Sequence, residues 1–542
     1  MKHFFYQDIE QTVLEAVQEC FPQVSVRSPL LEIPKDDSLG DLSSSIALKL
    51  ASAQKSSPLS IAETIKEALL KKAREDKTLC IAKIVIVKPG FLNIYLTEQC
   101  LKETAFDLVQ QPEYLKTITG HSERILLEYV SANPTGPLSI AHGRQAIIGD
   151  VLARVFALCE VPVKRQYYIN DEGRQIDLLV QSFGERVKQA RGESYAIPED
   201  GYQGEYLVPI ARRYVSEQST QDHEIYCLQA MLGLIKDELS VAGVGFDVWT
   251  SQKKLRTDGL IAEVISVLRS QGHIEEKEDA TWFKSTLFGD DKDRVLIKKD
   301  GSYTYFAADI AFHYMKIKQG YTRLINLWGP DHHGYIPRMK ASLQALGFSP
   351  AALDILIIQL VTLKNKEKMS KRKGNIILLS DLIEDVGRDA ARFYYITRKN
   401  SSHLDFDIEL AKTFSFDNPL YYIQYAHARI ASIVRKAEET IGPCSLERAS
   451  LTRLKEKEEI DVLRFMCYFP VYLLMIMQSL EPFFIPEYLK KLAALFHKFY
   501  EKHTVISNDP ELTRARIALV LMVKHVLGTG LNLLGINAPE KM

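Results

Sequence analysis

Two stretches of this chain carry side chains suited to handling phosphate. In Asn133-Pro134-Thr135-Gly136-Pro137-Leu138-Ser139-Ile140-Ala141-His142-Gly143-Arg144, a loop broken by two prolines and a glycine delivers one histidine. The other is the lysine-rich run Lys364-Asn365-Lys366-Glu367-Lys368-Met369-Ser370-Lys371-Arg372-Lys373-Gly374. A run of this kind is ordinarily a solvated loop or a general anion patch. Between them lies Gly329-Pro330-Asp331-His332-His333-Gly334, whose glycines would let a flat base and a ribose come close. Its paired histidines lack a third ligand at helical or hairpin spacing, so a metal such as zinc is not expected. Tyr305 and Asp309 are four residues apart and share one face of a helix. No Ser/His/Asp or Cys/His set suggests a nucleophilic side chain.

These residues need elements to aim them. Ile125–Val130 is an apolar run interrupted by one acid, Glu128, which suits a buried strand of a parallel sheet. The Pro/Gly loop ends it. From about His142, apolar residues Ile147, Ile148, Val151, Leu152, Val155 and Leu158 follow at helical spacing. Strand, loop and helix in this order put a helix N-terminus at the carboxyl end of a strand, where open α/β sheets bind phosphate. On spacing alone, an ordinary connection with an incidental histidine accounts for the stretch better.

Val161–Ile169 reads as a second strand, ending in Asn170-Asp171, which suit an active-site rim or a helix cap equally. Arg323–Trp328 and Ile355–Leu363 read as further strands. Tyr202–Val241 is helical by pattern, and Asp300-Gly301 marks a hairpin between Arg294–Lys299 and Tyr303–Phe306. The first 115 or so residues mix helix and strand, while everything beyond about Ser415 has helical periodicity.

At 542 residues the chain exceeds one core, so two to four domains are expected. A hydrophobic content of 46%, a charged content of 25% and a net charge of −1 describe an ordinary globular protein without a basic coat. RNA binding needs only local patches and stays open. Seven scattered cysteines without a C-x-x-C pair predict reduced thiols and a cytoplasmic setting. The apolar run Phe465–Met477 contains Pro470 and is too short to span a membrane, so no membrane association is expected.

The stretch Ser131-Ala132-Asn133-Pro134-Thr135-Gly136-Pro137-Leu138-Ser139-Ile140-Ala141-His142-Gly143-Arg144 resembles the H-x-G-H region of class I aminoacyl-tRNA synthetases, in the form used by arginyl-tRNA synthetases. Ser139 stands where that motif has its first histidine, and Ala141 where it has glycine. Lys368-Met369-Ser370-Lys371-Arg372 is similar to the second class I motif, K-M-S-K-S. Similarity extends over essentially the whole chain, to Gly40–Ala51, Lys88–Leu96 and the closing Gly535–Met542. The resemblance implies an α/β core with a Rossmann-like, HUP-type parallel nucleotide-binding sheet, an N-terminal α/β add-on domain and a C-terminal all-α helix bundle. The boundaries read as 1–115, which contacts the outer corner of tRNA in the family; 116–414, with an insertion at about 202–299; and 415–542, the anticodon-binding domain.

It implies further that His142, Ser139, Lys368 and Lys371 are catalytic. Pro137, Leu138, Ala141, Gly143, Gly329, Asp331, His332, Met369 and Ser370 would bind ATP. Glu128, Ser131, Asn133, Tyr305 and Asp309 would bind arginine, since a guanidinium needs a carboxylate partner. The implied partners are L-arginine, an arginine-accepting tRNA, and ATP with Mg2+ as substrate. A monomer is expected, as is a need for bound tRNA before arginine is activated. A synthetase-like RNA-binding protein with impaired catalysis, or a small-substrate adenylyltransferase, is the alternative. Lys371→Ala should slow adenylate formation about 100- to 1,000-fold in pre-steady-state assays while arginine affinity stays unchanged; an unaffected rate would remove the role given to this lysine.

Overall fold

The computed structural model describes residues 4–26, 30–118, 123–364 and 377–542. Its centre is a five-stranded, wholly parallel sheet. In chain order the strands are β1 (Ile125–Glu128), β2 (Val163–Ile169), β3 (Val248–Ser251), β4 (Arg323–Trp328) and β5 (Leu353–Ile357). They lie in the spatial order β5-β4-β1-β2-β3. The chain builds outward from β1 through β2 to β3, then returns to the other side of β1 with β4. The reversal opens a crevice at the carboxyl ends of β1 and β4, where such sheets bind ligands.

Register puts Asn326 beside Glu128 and Glu128 beside Gln166, a polar row across three adjacent strands. All three are buried. β1 is otherwise apolar, as is most of β4, in keeping with parallel strands covered on both faces, while β2 carries Lys164 and Arg165 toward its start.

Helices α1 (Ile140–Leu158), α2 (Arg174–Ala190), α3 (His223–Val241), α4 (Tyr305–Lys318) and α5 (Arg388–Tyr395) pack around this sheet and its extensions. The 202–299 range read as an insertion contributes β3, an edge strand of the central sheet, and so is not wholly separate from it. Its remaining strands form a small antiparallel sheet, Ile274–Lys277, Ala280–Phe283 and Arg294–Ile297. The Asp300-Gly301 turn forms with Gly301 at φ +78°, but the return arm makes a single bridge, Ile297 to Tyr303, before α4 begins. The strand expected over Ile355–Leu363 is two: β5 ends at Ile357, and Val361–Leu363 pairs instead with Leu404–Phe406.

The N-terminal unit packs helices Phe5–Cys20, Ile46–Gln54 and Pro58–Glu75 around a three-stranded antiparallel sheet. The C-terminal part is a bundle built on Pro419–Ile441, Lys457–Cys467, Phe469–Ser479, Phe484–Lys502 and Pro510–Leu533. By length and composition, Lys457–Ser479 and Pro510–Leu533 could each cross a membrane, although 72% and 67% of their most apolar windows are buried here. The two ends of the chain meet at Asp41. Its carboxylate accepts Arg464 Nε and the Leu96 N–H, each at 2.6 Å, and its carbonyl accepts Tyr468 Oη at 2.9 Å.

A second junction ties the bundle to the sheet. The buried Arg392 guanidinium, on α5, donates to Asp150 of α1 at 2.5 Å, to the Ala242 carbonyl at 2.8 Å and to the Leu534 carbonyl at 2.6 Å. Gly535 follows with φ +66°, and a Cβ there would meet Arg392 Nη2 at 2.4 Å. Removing one partner of such a pair strands a buried charge. Arg392→Met should therefore lower unfolding stability by about 3 kcal/mol or more, read as a drop in the urea midpoint.

Candidate active site

The chain leaves β1 through a strained reversal. Val130 and Ser131 have φ +67° and +41°, a region disfavoured for residues with a Cβ and most of all for valine. The Ser131 N–H donates back to the Tyr129 carbonyl at 2.9 Å, closing a three-residue turn. Such backbone costs about 1–3 kcal/mol per residue and persists only where its surroundings enforce it. Here Ser131 Oγ donates to Glu128 at 3.2 Å and accepts the Tyr168 N–H at 3.1 Å, so the hydroxyl is occupied in fixing the end of β1.

The loop then reaches α1, which begins at Ile140, two residues earlier than its periodicity suggested. Leu138 N–H donates to the Glu238 carboxylate of α3 at 2.7 Å, and the Leu138 carbonyl accepts Leu379 N–H at 2.8 Å. Ile140 N–H donates to the Ile377 carbonyl at 3.1 Å. Ser139 is the N-cap residue. Its backbone N–H donates to His142 Nδ1 at 3.2 Å, and its hydroxyl lies equally close to that nitrogen. An accepting Nδ1 puts the ring proton on Nε2. Burial holds the His142 pKa below the ordinary histidine value, so the ring is neutral and offers an N–H donor without positive charge.

Gly143 is buried against the second half of the domain. A Cβ there would lie 2.5 Å from Leu379 Cδ1 and 2.7 Å from Tyr395 Oη. Arg144 is wholly buried and donates to the carbonyls of Gln359, Lys399 and Ser402 at 2.7–2.9 Å. Pro137 and Ala141 are partly exposed beside the helix start. Across the crevice, Gly329 sits at the end of β4, where an added Cβ would be 3.8 Å from Gln145 of α1. Asp331 and His332 are exposed on the short helical turn that follows.

The other side of the crevice is a polar pocket beneath α4. Asp309, His313 and Lys316 stand at i, i+4 and i+7, one stripe of a helix whose neighbouring positions are apolar. Lys316, with no exposed surface, donates to Glu128 at 2.5 Å and lies 3.9 Å from the centre of the Phe312 ring. His313 bridges Nδ1 to the Asp309 carbonyl and Nε2 to the Asn326 amide, both at 2.8 Å. Its pKa falls to about 3 through burial and the nearby Lys316 charge, so it is neutral. Asp309 accepts Tyr335 Oη at 2.6 Å. Burial, with a smaller contribution from Glu128, pushes its pKa up to about 7. Tyr305, 64% exposed, reaches across to Gly173, where a Cβ would be 3.1 Å from its hydroxyl. Asn133 donates to Gln175 of α2 at 2.5 Å.

A histidine N–H at a helix start, beside the acids Glu128 and Asp309 at a sheet's switch point, is an arrangement for a nucleotide and a cationic partner. Comparison with known proteins gives it a family. Residues 105–412 match the profile described as tRNA synthetases class I (R), catalytic domain; residues 7–96 match the arginyl tRNA synthetase N terminal domain; and residues 423–542 match the DALR anticodon binding domain. The arginine–tRNA ligase of Bacillus licheniformis is 42% identical, covering all of this chain and 99% of that protein. The chain belongs to the arginyl-tRNA synthetase family. The Bacillus subtilis arginine–tRNA ligase is 41% identical over the same coverage. The Thermus thermophilus arginyl-tRNA synthetase structure, at 21% identity and a TM-score of 0.80, covers 99% of this chain and all of its own and shares the fold.

Within this synthetase, Lys368, Met369, Ser370 and Lys371 lie outside the described residues. The described chain resumes at Ile377, whose carbonyl is the one bound to Ile140 at the start of α1. Asp171 accepts Ser251 Oγ at 2.5 Å and the Lys253 N–H at 2.9 Å, and Gly173, not Asp171, is the N-cap residue of α2. Sequence reasoning passed over Lys316, His313, Tyr335 and Glu238. The i, i+4, i+7 polar stripe on α4 was the available signal for the first two. Because Tyr395 is buried and cannot yield, Gly143→Ala should cost about 1–3 kcal/mol by overpacking, read as a lowered unfolding midpoint.

Proposed function

We propose how the described side chains divide the work of joining arginine to tRNA. The single observation that carries the reading is the half-buried acid Asp309, whose pKa is pushed up to about 7, on the face of the sheet's switch point that also receives the neutral His142 at the start of α1. Arginine's guanidinium would be held by Asp309 and Tyr305, with Glu128 and Asn133 facing the rest of the amino acid. A planar cation with five donors is best matched by carboxylate and hydroxyl acceptors in a water-poor pocket.

The arginine carboxylate then attacks the α-phosphorus of ATP, forming the mixed anhydride as the bond to the departing pyrophosphate breaks. The 3′-terminal ribose hydroxyl of tRNA attacks the activated carbonyl and releases AMP. Positioning and charge stabilisation do most of this work, so no nucleophilic side chain is needed. His142 Nε2–H would support the reacting phosphate. Ser139 orients that ring and in this reading makes no phosphate contact. Gly329, Asp331 and His332 would receive the adenosine, with Asp331 on the ribose. Lys368 and Lys371 would act on the leaving group. Magnesium would arrive with the triphosphate of ATP.

The bundle would read the far end of the RNA. Phe414 and Phe416, 88% and 58% exposed, stand beside Tyr421, and Phe416 is 5.1 Å from the Tyr425 ring. Exposed rings next to a helix offer stacking surfaces for unpaired bases. His427, on the same helix, turns inward and bonds the Pro539 carbonyl at 2.8 Å. Seven dispersed, unbridged cysteines support a reducing, cytoplasmic setting, and the enzyme would work there as a monomer.

Asp309→Asn tests the reading. Losing the charge opposite a buried guanidinium should weaken arginine binding by about 30-fold or more, with ATP affinity nearly constant. Equal losses for both ligands in a titration would sink the pocket assignment.

A further inference from the structure

The pocket under α4 contains two acids, Glu128 and Asp309, and would receive one substrate cation. Lys316 faces both acids from the same helix face as Asp309. Its ammonium touches Glu128 at 2.5 Å, has no exposed surface and rests on the Phe312 ring. A buried ion pair of this kind adds little stability over apolar side chains of the same volume. Retaining it inside a ligand pocket therefore calls for a reason other than holding the fold. Counting charge supplies one. With Lys316 present the two acids sum to a single net negative charge, matching one guanidinium. Without it, two carboxylates share one crevice and oppose each other's ionisation.

We infer that Lys316 is a positioning residue of the arginine site, whose ammonium compensates Glu128 so that Asp309 is free to ionise for the substrate's guanidinium. This rests on the arginine pocket proposed above. The groups facing Asp309 fit it. Tyr335 donates to the carboxylate, His313 bonds its backbone carbonyl and is neutral, and Tyr168 is a half-buried phenol nearby. Arg338 lies 4.7 Å from the Tyr335 ring and Arg294 also acts on Tyr335. Lys316 is the cation that acts on Asp309 itself. A proton and arginine then compete for Asp309. Affinity should rise with pH up to about 7, where Asp309 titrates, and level off above it.

The test uses the full-length enzyme with tRNA, measuring arginine KM and kcat from about pH 6 to pH 9. In K316M the midpoint of the KM profile should move up by about one unit, raising KM about fivefold at pH 7, close to tenfold at pH 6 and much less at the alkaline end. K316R should restore the wild-type midpoint. E128Q, which keeps the cation and loses its partner, should move the midpoint down, and decides the matter if K316M does not fold. A K316M effect equal at every pH, or an unmoved midpoint in E128Q, overturns the inference. D309N separates the two readings. If it abolishes the pH dependence while K316M leaves the midpoint unmoved, the pocket stands and the role of Lys316 falls. If D309N keeps the dependence, the pocket assignment itself is wrong.

Discussion

A loop with two prolines cannot satisfy its own backbone, and the stretch between β1 and α1 is such a loop. Beyond a few local bonds, such as Thr135 N–H to the Asn133 carbonyl, its polar groups find partners from distant parts of the chain. Ala132 and Thr135 carbonyls accept the hydroxyls of Tyr167 at 2.8 Å and Tyr206 at 2.5 Å. Leu138 is held by Glu238 on one side and Leu379 on the other, and Ile140 by Ile377. The position of His142 is therefore set by α3, by Tyr206 and by Ile377 and Leu379, none of which touches a phosphate in the proposed reading. Strain at Val130 and Ser131 is tolerated for the same reason: the surroundings over-determine the loop.

Much of this was visible in the sequence because it lay in local pattern. The apolar run with one acid announced β1 and Glu128, and the Pro/Gly break announced the loop before α1. What escaped was anything dependent on who faces whom. Glu128 is legible as an acid in an apolar strand, but its partner is 188 residues away on α4. Ser139 is legible as the residue in place of a motif histidine; that its own N–H and hydroxyl both lie 3.2 Å from His142 Nδ1 is not. The edge strand Val248–Ser251 was hidden inside a range that reads as an insertion, because four half-exposed residues carry no alternation or apolar run to reveal them.

The N-terminal unit gives a similar lesson about motifs. Gly40-Asp41 lies in one of the stretches that carry the family resemblance, yet Asp41 is 2% exposed and bound to Arg464 of the bundle. Its carboxylate also holds the Leu96 N–H, joining the unit's own sheet to a helix more than 360 residues later. A second tie, Arg448 to Asp107, repeats the arrangement with Arg448 lying over Phe106. Polar residues in such a motif do not by themselves mark a ligand surface. Here they hold the two ends of the chain to each other.

Arg392 extends that logic to the whole molecule. One guanidinium belongs at once to α1, to the end of α3 and to the last turn of the bundle. Swinging the bundle away from the sheet would leave that cation in a dry interior with nothing to answer it. The base of the bundle is thereby riveted to the sheet, and an RNA that in the proposed reading touches both would meet them at the gauge this rivet sets.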